Sequence, residues 1–179
     1  MKAAGAASVH DAYVALGSNL GDRAAHLREA LRALAAAERV AVVAASRLYE
    51  TAPLGPAQGW YLNAAARLRT SLPPRQLLEL LHEIEARAGR ERGPVRWSAR
   101  TLDLDLLFYA DGCIDEPDLI VPHPRLHERS FVLAPLRELA PDLVHPRLGA
   151  TVAELAERVH DPGAVRPYAG EEATWRSQR

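Results

Sequence analysis

The run Arg100-Thr101-Leu102-Asp103-Leu104-Asp105-Leu106-Leu107 alternates two acids with leucines. As a β-strand it puts Asp103 and Asp105 on one face and the leucines on the other. Two carboxylates held side by side repel unless a cation sits between them, and hard oxygen ligands favour magnesium bridging to substrate phosphates. The alternative is a solvated sheet face. Arg90, Arg92, Arg96 and Arg100 lie immediately upstream, so cations stand beside the paired acids, as a magnesium-nucleotide complex would require; the alternative for each arginine is ordinary surface charge. His123, within Val121-Pro122-His123-Pro124, could donate to a phosphate or act as a structural hydrogen-bonder. Arg129 and Phe131 follow on the same segment. Trp60, Tyr61 and Asn63 open an extended stretch where a ring and an amide could bind a flat heterocycle, or where the rings could simply pack in the core.

The elements that must carry these residues follow from hydrophobic period and turn chemistry. Tyr13 to Gly17 reads as a short buried strand, and Gly17-Ser18-Asn19-Leu20-Gly21-Asp22 as a turn ending in a helix cap. Leu27, Leu31 and Leu34 recur at helical spacing, giving an amphipathic helix to about Glu38. Val40 to Tyr49 is expected as one strand. Pro53, Gly55, Pro56 and Gly59 shape a loop, and Tyr61 to Thr70 resumes an extended pattern. A second helix starts at Ser71, Pro73 and Pro74, carries Leu77, Leu78, Leu81 and Ile84 on one stripe, and stops at Gly89. Residues 90–100 form an arginine-rich loop, and Thr101 to Tyr109 the next strand.

That order, strand-helix-strand-strand-helix-strand, predicts an α+β fold with a ferredoxin-like βαββαβ core and an antiparallel sheet. A further hairpin is expected from the Asp111-Gly112 turn and extended Leu119 to Val121. Val132, Leu133, Leu136 and Leu139 mark a helix stopped by Pro141, and Val152 to Val159 a short outer helix. One domain over residues 1–179 is expected, ordered from about 12 to 159, with residues 160–179 polar and loosely held.

Composition narrows the chemistry. Lys and Arg total 22 and the single lysine is Lys2, which leaves 21 arginines. A Walker-type phosphate loop needs a lysine after its glycines, and Schiff-base chemistry needs an interior lysine, so both are excluded. Phosphate must be held by arginine, backbone N–H or metal. The net charge of −1 argues against broad nucleic-acid binding. Cys113 stands alone, which excludes an internal disulfide and fits a reducing cytoplasm. No stretch approaches the roughly 18 apolar residues of a membrane span.

Taken together, Ala15-Leu16-Gly17-Ser18-Asn19-Leu20-Gly21-Asp22, Tyr49-Glu50-Thr51 with Pro53-Leu54-Gly55-Pro56, Tyr61-Leu62-Asn63-Ala64-Ala65, Arg96-Trp97, the Arg100 to Asp105 run, Val121-Pro122-His123-Pro124, and Arg129 with Phe131 resemble one family, the hydroxymethyl-dihydropterin pyrophosphokinases of folate biosynthesis. The resemblance covers roughly Ala12 to Val159. It implies transfer of the β,γ-diphosphate of ATP to the pterin hydroxymethyl group with AMP leaving, and two magnesium ions on Asp103 and Asp105. It further implies that Tyr61 and Phe131 sandwich the pterin, that Thr51, Leu54 and Asn63 line its hydrogen-bonding edge, and that Trp97 closes over the site. Arg90 and Arg100 are implied as catalytic, and Glu85, Arg92, Leu106, His123 and Arg129 as ATP-binding. ATP and 6-hydroxymethyl-7,8-dihydropterin are then the small-molecule partners of a cytoplasmic monomer, with no nucleic acid and no membrane. Ser98-Ala99 and Pro124 depart from the family's common residues, which bears on loop closure and nucleotide affinity. Two rivals stay open: an RNA-binding ferredoxin-like module, disfavoured by the exposed acids, and a metal-dependent nucleotide hydrolase.

Overall fold

The computed structural model describes residues 8–52, 59–89, 101–160 and 165–170 of the 179. Strand β1 (His10–Ser18) runs through the middle of the sheet, between β5 (Asp103–Tyr109) and β4 (Tyr61–Thr70), antiparallel to both. On the far side of β4 lie β2 (Val40–Ala45) and β3 (Tyr49–Thr51), followed by β8 (Val165–Pro167), which gives the order β5-β1-β4-β3-β8 with β2 also paired to β4. This is the expected ferredoxin-like arrangement, in which the fourth, first, third and second core strands neighbour one another.

Helices α1 (Arg23–Ala36) and α2 (Pro74–Arg87) cover one face of the sheet. Leu27, Leu31 and Leu34 of α1, and Leu77, Leu81 and Ile84 of α2, pack on Val14, Leu16, Leu62, Leu104 and Leu106. Removing such a leucine side chain costs about 2–5 kcal/mol. The Asp22 carboxylate accepts from Ala25 N at 2.9 Å and starts α1, as expected of its cap position. After α2, Gly89 takes φ +79°, the left-handed conformation that favours glycine at a helix end.

The opposite face is covered at one end by α3 (Ser130–Leu139) and α4 (Val152–Arg158), whose Val132, Leu133, Leu136, Val152 and Leu155 meet Tyr13, Ala65, Leu107 and Phe108. A capping box between Thr151 and Glu154 starts α4. The hairpin of β6 (Ile114–Glu116) and β7 (Leu119–Val121) lies beside β5. No helix among the described residues is long and apolar enough to cross a membrane.

Two expectations are corrected. The single strand from Val40 to Tyr49 is two strands, broken at Ser46, whose hydroxyl accepts from Ala65 N at 2.9 Å and so substitutes for backbone in the ladder. Helix α3 contains Pro135 but runs to Leu139 and stops before Pro141, as expected. Val165–Pro167, within the segment expected to be loosely held, forms β8 against β3, because Arg166 lies directly across from Glu50 and pairs with it.

Candidate active site

Cross-strand register brings the predicted residues onto one face. Tyr49 of β3 pairs with Asn63 of β4, Asn63 with Gly17 of β1, and Gly17 with Asp103 of β5. Two residues along, Ala15 faces Asp105, and in the other direction Thr51 faces Tyr61. Because side chains repeat every second residue, Thr51, Tyr61, Asn63, Asp103 and Asp105 share the face that α3 and α4 cover only at its other end. Asp103 and Asp105 are half-buried and about 6.6 Å apart along β5. Their neighbours Leu104 and Leu106 are buried on the helix-covered face. The predicted alternation is therefore observed.

Asn63 is buried, and its Nδ2 donates to the Thr51 hydroxyl at 2.8 Å. That bond leaves Asn63 Oδ1, a second amide N–H and the Thr51 O–H for another partner. Gly17 makes the arrangement possible. A Cβ at this position would lie 3.1 Å from Asn63 Oδ1 and 4.0 Å from the Asp103 Cβ. The sequence presents Gly17 at the boundary of a strand and a turn, and nothing in it signals this close approach.

Three further predicted residues arrive from outside the sheet. The His123 backbone N–H donates to Leu107 O at 2.9 Å, tying its segment to β5. Its Nδ1 accepts from Arg125 N at 3.2 Å, so the neutral ring carries its proton on Nε2. Burial lowers the His123 pKa below 6.5, while Asp105 pulls the other way. Arg129 caps α3 on a non-helical backbone, and its guanidinium lies 3.9 Å from Asp105 and 5.6 Å from the centre of the Phe131 ring. Burial also lowers the Arg129 pKa, opposed by Asp105, yet guanidinium remains charged at neutral pH. Phe131 itself is half-buried at the start of α3.

Glu85 is 1% exposed on α2 and accepts from Leu104 N at 2.7 Å, which ties the helix to strand β5. With Leu106, His123 and Pro124 it lines a cleft of about 310 Å³ between α2, β5 and β7. Leu78 and His82 of α2 line it too. Sequence reasoning missed His82 as a site residue, and its position one helical turn from Leu78 on the same face was the available signal. Leu54, Arg90, Arg92, Trp97 and Arg100 lie outside the described residues.

A ferredoxin-like sheet that carries an acidic pair, a buried amide–hydroxyl pair, and a histidine and an arginine beside an open cleft has the layout of a polyphosphate-handling α+β enzyme. Residues 13–141 match the family model described as 7,8-dihydro-6-hydroxymethylpterin-pyrophosphokinase. A 2-amino-4-hydroxy-6-hydroxymethyldihydropteridine pyrophosphokinase of Synechocystis is 44% identical over 160 residues, 89% of this chain and 81% of the relative. Its namesake in Bacillus subtilis is 50% identical over 129 residues, 72% of this chain and 77% of the relative. The chain belongs to the 7,8-dihydro-6-hydroxymethylpterin-pyrophosphokinase family. In fold it matches a crystal structure of a Plasmodium falciparum HPPK-DHPS variant with a TM-score of 0.70 at 16% identity, over 87% of this chain and 46% of that one. The chain thus spans under half of that larger protein.

Proposed function

We propose that the protein transfers a pyrophosphoryl group from ATP to 6-hydroxymethyl-7,8-dihydropterin, giving AMP and the pterin diphosphate, a step of folate biosynthesis. What supports this most directly is the row Asn63-Gly17-Asp103, which sets the buried Asn63 amide beside the acidic pair on one sheet face. The pterin hydroxymethyl oxygen attacks the β-phosphorus of ATP. The bridging bond from that phosphorus to the α-phosphate oxygen breaks, AMP leaves with the oxygen, and the hydroxyl proton goes to solvent.

The residues divide by place. Asn63 and Thr51 together offer donors and an acceptor to the pterin edge, where amino and N–H donors adjoin a carbonyl. Leu54 and Trp97 are assigned to pterin binding by the family resemblance alone, and the Tyr61 and Phe131 rings flank the heterocycle. The pocket selects a pterin because a ligand lacking these groups would leave buried Asn63 and Thr51 unsatisfied. The nucleotide occupies the cleft of Glu85, Leu106 and His123, where the neutral His123 can donate from Nε2 to phosphate. Arg129, with Arg90, Arg92 and Arg100, holds the polyphosphate and stabilises charge on the transferring group.

The acidic pair fits a divalent cation: two carboxylates project from one strand face, and Asp105 lines the open cleft. Asp103 and Asp105 would hold two magnesium ions, which supply charge neutralisation at the bridging phosphate oxygens. Among the described residues no group of three or more acids, histidines or cysteines could hold a metal. Rate enhancement then rests on alignment and electrostatics. The enzyme acts as a monomer in the cytoplasm.

The test is AMP formation from ATP and magnesium by the purified chain, with and without 6-hydroxymethyl-7,8-dihydropterin. AMP only in the presence of the pterin is expected. Phosphate release without pterin would favour the hydrolase reading, and absence of AMP from a folded sample would overturn the proposal.

A further inference from the structure

On the reverse face of the sheet from the acidic pair, two arginines close on one carboxylate. Glu50 of β3 has a side chain only 15% exposed. Its Oε1 accepts from Arg23 Nη2 at 3.2 Å, and its Oε2 from Arg166 Nε at 3.2 Å and Nη2 at 2.8 Å. Arg23 is the first residue of α1, whereas Arg166 is the middle residue of β8, paired in register with Glu50. Both arginines also reach Trp60. Arg23 Nη1 donates to the Trp60 carbonyl, and the Arg166 guanidinium lies 4.4 Å from the centre of the Trp60 ring.

The four residues join places that are distant along the chain but adjacent at the site. Glu50 immediately precedes Thr51, and Trp60 immediately precedes Tyr61. Thr51 and Tyr61 are direct cross-strand partners at the end of the β3–β4 ladder. Strand β3 is three residues long, so its own ladder to β4 supplies few hydrogen bonds. β8 adds a second ladder on the other side, pairing Val165 with Thr51 and Pro167 with Tyr49. The Tyr168 N–H donates to Leu48 O at 2.9 Å and continues the attachment. Arg166 therefore bridges both strand ends at once, through the carboxylate on β3 and the indole immediately before β4. Charge-assisted hydrogen bonds in a planar fork hold geometry more tightly than a point charge would. A displacement of about 1 Å in a substrate-positioning group is enough to change turnover or affinity by orders of magnitude.

We propose that Arg166 is a positioning residue for the pterin: acting from the far face of the sheet through Glu50 and Trp60, it fixes the placement of Thr51 and Tyr61 and so sets pterin affinity. This rests on the pterin reading above. The C-terminal strand thereby becomes part of the specificity apparatus, although no residue of β8 is assigned contact with substrate. The nucleotide cleft lies across β4, β1 and β5 from this cluster, so the effect is confined to one substrate.

The experiment compares wild type, Arg166→Ala and Arg166→Lys by pterin-dependent AMP formation, varying pterin and ATP separately, with a melting curve for each. Arg166→Ala is expected to raise the pterin KM about tenfold, the scale of one lost charged hydrogen bond, with the ATP KM and kcat within about twofold. Arg166→Lys keeps the charge but loses the fork, and recovers part of the affinity. Should Arg166→Ala fail to fold, Arg166→Lys carries the test, with a several-fold rise in pterin KM expected alone. An unchanged pterin KM in an active, folded variant overturns the inference. So does a parallel rise of both KM values with a large drop in melting temperature, which marks a merely structural strand. A wild-type chain that makes no AMP with the pterin defeats the functional reading itself, an outcome separate from these.

Discussion

Gly17→Ala isolates one steric contact at the centre of the proposed site. Gly17 lies within β1, and its φ is not in the left-handed region, so alanine meets no backbone penalty and the effect is the methyl group alone. That methyl would lie 3.1 Å from Asn63 Oδ1, tighter than an ordinary van der Waals contact, so the amide must give by a few tenths of an ångström. The amide is already fixed by its 2.8 Å bond to Thr51. Overpacking at this level costs about 1 kcal/mol or more. That strain exists in the free enzyme and lowers its melting temperature by about 2–8 °C. Displacement of the amide weakens a hydrogen bond worth about 1 kcal/mol, which is about a fivefold rise in pterin KM. The Asp103 Cβ, at 4.0 Å, is in ordinary contact, so the ATP KM is expected to change by less than about twofold. Steady-state AMP formation with each substrate varied in turn measures all three. A folded Gly17→Ala enzyme with wild-type pterin KM, or one in which only the ATP KM rises, would refute the placement of the pterin beside Asn63.

Asp103→Asn and Asp105→Asn each keep side-chain volume and remove the charge, and each is expected to lower kcat by about a thousandfold or more with the fold intact by circular dichroism; more than about a tenth of wild-type rate in either variant overturns the metal assignment. His145 is buried against Phe108 and near His127, at ring-centre distances of 5.7 Å and 6.3 Å, and burial first, then His127, lowers its pKa below 6.5. The unfolded chain therefore takes up a proton that the folded one resists. The stability contributed by neutral His145 is present above pH 6.5 and lost as pH falls through the lowered folded value. Denaturant unfolding at pH ~7.5 and ~5.5 should show a smaller loss on acidification in His145→Gln than in wild type, and equal losses would show that His145 does not carry that slope.

Several features were legible because their causes are local. Alternation of Asp103 and Asp105 with leucines needs only the two-residue repeat of a strand, and the leucine stripes of α1 and α2 need only the helical repeat. Asp22 and Gly89 announce helix ends through groups that bond or bend within a turn of their own position. Other features depend on partners far along the chain. Ser46 breaks a predicted strand because its hydroxyl meets the Ala65 amide, and no pattern within Val40 to Tyr49 shows it. Val165–Pro167 is too short to display a period, and it is a strand through its ladder to β3, with Arg166 on Glu50 and over the Trp60 ring.

By itself, the sequence determined the order of the core elements, the face of β5 that carries the acids, and the identity of Thr51, Tyr61, Asn63, His123, Arg129 and Phe131 as candidates. The tertiary structure decided the register that aligns Asn63, Gly17 and Asp103, the burial that lowers the His123 pKa, the bond from Leu104 N to Glu85, and the docking of Arg166 behind the site. The physical reason is range. Side-chain periodicity and capping are set by neighbours within a few residues, whereas register, burial and cross-sheet ion pairs follow from which distant segments exclude water together, and that is fixed only when the whole core closes.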